Sequence, residues 1–158
     1  MTQTLTNDPA ASPSTTSPTL AGLTVKRRFS SRPGVSPLDE VTWDKRRTVI
    51  TNPDGSVVYK MDDVEVPQAW SQLATDIVVS KYFRKAGLPN PPGHETSVRQ
   101  VVHRLARTLR VAGEEQGGTF ATPADAEAFE AELAYMLVRQ IGAFNSPVWF
   151  NCGLWHEY

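Results

Sequence analysis

Three apolar stripes at helical spacing, cut apart by glycine and proline clusters, run through residues 67–144 and confine that stretch to a small helical unit. In the first, Trp70, Leu73, Ile77, Val78 and Tyr82 fall at i, i+3, i+7, i+8 and i+12. Pro67 is its expected opening residue, and Gly87, Pro89, Pro91 and Pro92 stop it. The second opens at Thr96 or Ser97, buries Val98, Val101, Val102, Leu105 and Leu109, and closes over Gly113 and Gly117-Gly118. The third has Thr122 as N-cap, Pro123 at the first helical position and Asp125 three residues after the cap. Its stripe is Ala126, Phe129, Leu133, Met136, Leu137 and Ile141.

Ahead of the helices stands a hairpin signal. Thr48-Val49-Ile50-Thr51 and Ser56-Val57-Val58-Tyr59 are β-branched and aromatic runs on either side of Asn52-Pro53-Asp54-Gly55. Proline presets the first turn position and glycine can take the left-handed one. From Leu23 to Arg47 the chain is basic, and Pro33-Gly34 and Pro37 break any helix, so residues 23–66 read as an extended, turn-rich arm followed by the hairpin. Residues 1–22 read as a disordered tail: twelve of the first nineteen residues are Ser, Thr or Pro and Asp8 is their one charge, so few side chains could bury. The expected class is α+β, mainly helical, with about three helices and one hairpin.

Residues 145–158, with Phe144 just before them, read differently. Phe144, Trp149, Phe150, Trp155 and Tyr158 supply five of the chain's fourteen aromatic side chains. Such rings need a surface to bury against. The segment is expected to be an unfinished aromatic strand, the truncated start of a larger domain.

The chemistry on offer is sparse. Cys152, the single cysteine, rules out an internal disulfide framework and a CxxC pair; in its aromatic setting it reads first as a small buried hydrophobe, although His156 lies four residues on. His94, His103 and His156 form no metal-ligand spacing. Glu127, Glu130 and Glu132 read as a solvated face of the third helix. There is no GxGxxG and no GxxxxGK[ST], and Gly117-Gly118 alone is no phosphate loop. No apolar run is long enough to span a bilayer, and the N-terminus lacks the order of a secretory signal, so a cytoplasmic protein with no membrane partner is the default.

Two surfaces could still meet an anion. Arg99, His103, Arg107 and Arg110 lie within about 80° of one another on the second helix, and with Lys26-Arg27-Arg28 could contact phosphates. A formal net charge of −1 favours pairing of that stripe with acidic residues such as Glu114, Glu130 and Glu132 over binding of nucleic acid. At Asn145-Ser146-Pro147, a serine hydroxyl and backbone N–H groups can bind an anionic oxygen, or simply make a turn.

Three separate motifs, in order, resemble the N-terminal region of adenosylcobalamin-dependent (class II) ribonucleotide reductases. These are Val66-Pro67-Gln68-Ala69-Trp70-Ser71-Gln72-Leu73-Ala74-Thr75 running on to Val79-Ser80-Lys81-Tyr82-Phe83, then Glu95-Thr96-Ser97-Val98-Arg99-Gln100, then Phe144-Asn145-Ser146-Pro147-Val148-Trp149-Phe150-Asn151. The stretch from Phe29 to Trp43 fits that family's opening arm, so the likeness covers about residues 23–158.

The resemblance implies a vitamin B12-dependent ribonucleoside-diphosphate reductase, with diphosphate against triphosphate left open. In that family, homolysis of the cobalt–carbon bond generates a thiyl radical that abstracts the ribose 3′ hydrogen, and a cysteine pair supplies the reducing equivalents. The catalytic domain is an α/β barrel, which the present segment would precede. Of the family's functional residues only Ser146 carries over, as a substrate-binding residue near the phosphates, with Asn145 and Pro147 holding the turn. Cys152 matches no redox cysteine, since the family usually has a small apolar residue there. No catalytic, cofactor-binding or metal-binding residue carries over, and adenosylcobalamin is expected on the complete enzyme and not on this piece. The implied partners are a ribonucleotide and the remainder of the reductase; a homodimer is compatible with the complete enzyme. One thiol cannot run a reaction that uses several, so the chain is expected to be an N-terminal fragment, inactive alone. Two non-enzymatic readings stand beside it: a nucleic-acid-binding module using the arginine stripe, and a helical interaction module docking through its aromatic end.

Overall fold

A computed structural model describes residues 21–29 and 32–158. The expected tail falls, over residues 1–20, outside the described residues. Asn52-Pro53-Asp54-Gly55 makes the turn its chemistry demands: Gly55 N–H donates to Asn52 C=O at 2.9 Å, Gly55 sits at φ 85°, and the Asp54 carboxylate accepts the Ser56 N–H at 2.9 Å. The strands it joins, β1 (Trp43–Thr51) and β2 (Val57–Pro67), pair antiparallel from Trp43↔Pro67 to Thr51↔Val57. They run well beyond the expected hairpin, taking in part of the presumed arm. The sheet has one dry face, where Thr48, Val64 and Val66 are fully buried. The charges of Asp44-Lys45-Arg46-Arg47 that made this stretch look like a solvated arm are accommodated on the other face and at its margin. Arg47 pairs with Asp62 at 3.1 Å, and Arg46 donates to the carbonyls of Gln68 and Trp70. Register slips between Arg46 and Thr48, and Asp63 there takes φ 57°, a bulge that places the extra residue in the left-handed region.

Pro67 therefore closes a strand and does not open a helix. The helix begins later, as α1 (Gln72–Ile77), with the Ser71 hydroxyl accepting from Ala74 N–H at 3.1 Å, and it continues as a π-helical turn, Val78–Tyr82. There Phe83 N–H reaches back five residues to Val78 C=O at 3.0 Å. The wider turn holds one more residue than an α-turn and rotates the buried face. Leu73 and Ile77, expected inside, are 70% and 44% exposed, while Thr75, Val78, Val79 and Phe83 are buried.

Helix α2 (Val98–Gln116) opens with a full capping box, Ser97 capping the first turn and the Gln100 side chain accepting Ser97 N–H at 3.0 Å. Helix α3 (Pro123–Val138) is capped by Thr122 as expected. The two pack against each other, and α2 lies against β2 on the hairpin's dry face. Val98, Val101, Val102 and Leu105 are fully buried with Val64, Val66, Val79, Leu137 and Val138. Each such side chain contributes about 1.5–3 kcal/mol on removal from water. Near the far end of α2, a Cβ on Gly113 would stand 2.7 Å from the Phe120 ring, so the close approach requires glycine. Helix α3 ends in a Schellman turn, with Ile141 N–H on Met136 C=O at 2.9 Å and Gln140 at φ 56°. Ile141, expected in the buried stripe, falls past that turn and is exposed.

The segment Leu23–Phe29 lies along α3. Leu23 N–H donates to Thr119 C=O at 2.8 Å, Val25 N–H to Asp125 Oδ1 at 2.8 Å, and Phe29 N–H to Glu132 Oε2 at 2.8 Å. Glu132 is thereby buried, not part of a solvated face. The last residues form two short helices, α4 (Ser146–Asn151) and α5 (Leu154–Glu157), in place of the expected strand, because the carbonyls of Trp149 and Cys152 find donors in the helical layer. The architecture is α+β, helices on one face of a two-stranded sheet. No helix among the described residues is long and apolar enough to cross a membrane.

Candidate functional site

Ser146 is the first residue of α4. Asn145 before it is extended, at φ −70° and ψ 162°, and Pro147 after it is preset for a helix start. The Ser146 hydroxyl lies 3.3 Å from the Tyr82 hydroxyl, the last residue of the π-helical turn, 64 positions earlier. The Tyr82 ring stacks on Trp149 at 5.6 Å and tilts against Phe150 at 5.4 Å. Trp149 is buried, and its indole N–H donates to Phe144 C=O at 2.9 Å, which fixes the turn from its other side. Alongside runs an open groove of about 200 Å³, edged by Trp70, Ile77, Tyr82, Phe144 and Trp149. A half-buried hydroxyl on a rigid turn beside an apolar groove can hold one polar oxygen of a ligand whose flatter part lies against the rings.

Beneath the turn lies a charged centre closed to water. Arg104 of α2 and Glu95, both fully buried, meet at 2.7 Å. The guanidinium also donates to the carbonyls of Cys152 at 2.7 Å, Trp149 at 2.8 Å and Tyr82 at 3.3 Å. Glu95 in turn accepts the Arg84 N–H at 2.7 Å and the Tyr158 hydroxyl at 3.1 Å. Burial, then the charge and hydrogen bond of Glu95, push the Tyr158 phenol well above its ordinary value. Both elements that present the two hydroxyls, the π-helical turn and α4, are thus tied to one guanidinium.

The other candidates are placed apart from this site. Cys152 is half-buried, and burial, outweighing nearby Arg104, pushes its thiol up, away from nucleophilic use. His94 contacts Glu95 C=O at 3.1 Å and His103 faces Glu157 at 3.4 Å. Among the described residues no group of three or more His, Cys, Asp or Glu side chains could hold a metal ion. The basic stripe is spent on internal pairs: Arg99 with Asp39 at 2.9 Å, Arg107 with Glu157 at 3.9 Å, and Arg110 with Glu114 at 2.7 Å and with Glu130. Only the last of these partners belongs to α3, so the acidic helix is not the stripe's main counterpart. Gly117 caps α2 at φ 71°.

Tyr82, Glu95 and Arg104 are the residues that sequence reasoning passed over. Arg104 gave one signal: it is the arginine of α2 that stands outside the basic stripe, next to Val101 and Leu105 of the apolar face. An arginine at the edge of a buried face demands an acidic or carbonyl partner.

Comparison with known proteins places these motifs in context. The family model described as class II vitamin B12-dependent ribonucleotide reductase matches residues 44–140. Over 133 residues, 84% of this chain, the sequence is 52% identical to the vitamin B12-dependent ribonucleotide reductase of Streptomyces clavuligerus. It is 45% identical over 139 residues, 87% of the chain, to the protein of that name from Rhodopirellula baltica. The chain spans 13% of the length of each of these relatives.

Proposed function

The chain belongs to the class II vitamin B12-dependent ribonucleotide reductase family, and from that premise we propose that it serves as the N-terminal region of an enzyme that reduces ribonucleotides to deoxyribonucleotides. In this reading residues 23–66 and 67–144 form the arm, hairpin and helical approach, and residues 145–158 begin the catalytic barrel. Ser146 is the residue that meets substrate, its hydroxyl donating to a phosphate oxygen of the ribonucleotide. The observation that carries the reading is 52% identity sustained over 84% of the chain. The Tyr82–Ser146 contact and the adjoining groove support Ser146 as the point of contact.

Adenosylcobalamin supplies radical initiation when bound to such an enzyme. We propose that its site is supplied by the rest of the enzyme; here His94 contacts Glu95 C=O and His103 faces Glu157. With Cys152 its one thiol, this chain contributes positioning and water exclusion, not sulfur chemistry.

The test is complementation. A Streptomyces clavuligerus reductase lacking its matching N-terminal region is joined to this chain, and deoxyribonucleotide formation is measured with adenosylcobalamin. Restored turnover is expected. No product from that chimera, under conditions where the native N-terminal region restores it, overturns the proposal.

A further inference from the structure

We propose that Tyr82 is a positioning residue for substrate, its phenol donating to Ser146 Oγ and leaving the serine proton directed at an anionic oxygen of the ribonucleotide. The inference rests on the reading of Ser146 as the substrate contact and adds a second residue to it. The two hydroxyls are 3.3 Å apart, and either could donate. Chemistry chooses the direction. A phenol is a stronger donor and a weaker acceptor than an aliphatic hydroxyl, whose oxygen carries two free lone pairs. A serine that accepts from tyrosine is a better donor in its turn, since hydrogen bonds in a chain polarise one another.

Packing alone does not account for the hydroxyl. The ring is already held by Trp149 and Phe150, and a phenylalanine would stack there as well. The backbone is arranged around this contact instead. The π-helical turn delivers Tyr82 to α4, and Arg104 binds the carbonyls of Tyr82, Trp149 and Cys152 together, fixing the spacing of the two elements. Local π-helical turns of this kind are frequent at functional sites.

A double-mutant cycle tests it. Tyr82→Phe, Ser146→Ala and the pair are made in a complete reductase carrying this sequence. Equilibrium binding of a ribonucleoside diphosphate, and separately of the triphosphate, is read beside kcat and KM. Tyr82→Phe is expected to weaken binding and raise KM by roughly 3- to 10-fold, the worth of one hydrogen bond, with kcat held. In the Ser146→Ala background it is expected to add nothing. Equal weakening in both backgrounds, or no weakening by Tyr82→Phe where Ser146→Ala does weaken binding, overturns the positioning role alone. If Ser146→Ala leaves both nucleotides bound as before, the substrate reading fails, and the role of Tyr82 with it.

Discussion

Arg104 and Glu95 form an ion pair at 2.7 Å with both side chains fully removed from water. Such a pair is costly to bury and is held only where further hydrogen bonds occupy the remaining donors and lone pairs. Here they do: three carbonyls from two elements take the guanidinium's other hydrogens, and a backbone N–H and a phenol take the carboxylate's lone pairs. Helix α2, the loop before it and both terminal helices therefore share one electrostatic centre.

Arg104→Met keeps much of the side-chain volume and removes the charge. It leaves the buried Glu95 carboxyl without its cationic partner and the Trp149 and Cys152 carbonyls without this donor. A loss of about 3–5 kcal/mol is expected, measured as a shift in the urea midpoint with the slope unchanged. Replacing Glu95 by Leu in the same chain is not expected to recover it fully, because the carbonyls stay unpaired.

Gly153 separates α4 from α5 at φ 84°, and a Cβ there would lie 2.5 Å from Arg104 C=O and 2.6 Å from Thr108 Oγ1. Neither the backbone of α2 nor the left-handed angle can yield cheaply. Gly153→Ala is expected to cost about 1–3 kcal/mol and to alter the near-ultraviolet signal of Trp149, read by thermal melting and circular dichroism.

Asp125 fixes the N-terminal segment to α3. The Thr122 hydroxyl, then the Val25 N–H, hold its carboxyl below the ordinary carboxylate value. A depressed folded value means that the contribution is present above the unfolded pKa of about 3.9 and is lost as pH falls through the folded one. Protection of the Val25 amide from exchange is therefore expected to be full at neutral pH and to disappear below that window. In Asp125→Asn, which keeps an acceptor oxygen but cannot titrate, the protection should not change across it.

Cys152 is expected to react slowly with iodoacetamide at neutral pH compared with a free thiol, since burial holds it protonated. Cys152→Val, of similar volume, is expected to cost less than about 1.5 kcal/mol. Rapid labelling at pH 7 would contradict the buried, structural placement.

What the sequence made legible was local. The Asn52–Gly55 turn and the Thr122 cap are set by residues within four positions of one another and appear as read, and the second helix, expected to open at Thr96 or Ser97, takes Ser97 as its cap. The phase of the first helix was not legible: it starts at Gln72, so Trp70 lies outside it and Leu73 and Ile77 face solvent, and the π-helical turn follows only at Val78. Nor was the site's support. Tyr82 meets Ser146 across 64 positions and Arg104 meets Cys152 across 48, contacts decided by how helices stack and not by periodicity. Ser146 itself is proposed from its motif alone, with no local pattern to separate it from an ordinary turn.

The basic stripe of α2 is paired internally, as its net-charge reading favoured, although mostly with carboxylates outside α3. Read as a row of positive charge, Arg99, His103, Arg107 and Arg110 could follow a phosphate backbone. In the fold each faces a carboxylate: Asp39, Glu157, Glu157 again, and Glu114 with Glu130. Arg99 also lies over the Trp43 ring at 4.5 Å. A phosphate would have to displace these partners, and the acidic groups left behind would repel it. No shift of duplex or single-stranded DNA is therefore expected even at low salt, where such binding is strongest. Glu114→Gln with Glu157→Gln frees part of the stripe and should make any DNA affinity appear first in that variant. Salt-sensitive binding by the unmodified chain would show instead that the stripe is open, and would favour the nucleic-acid reading.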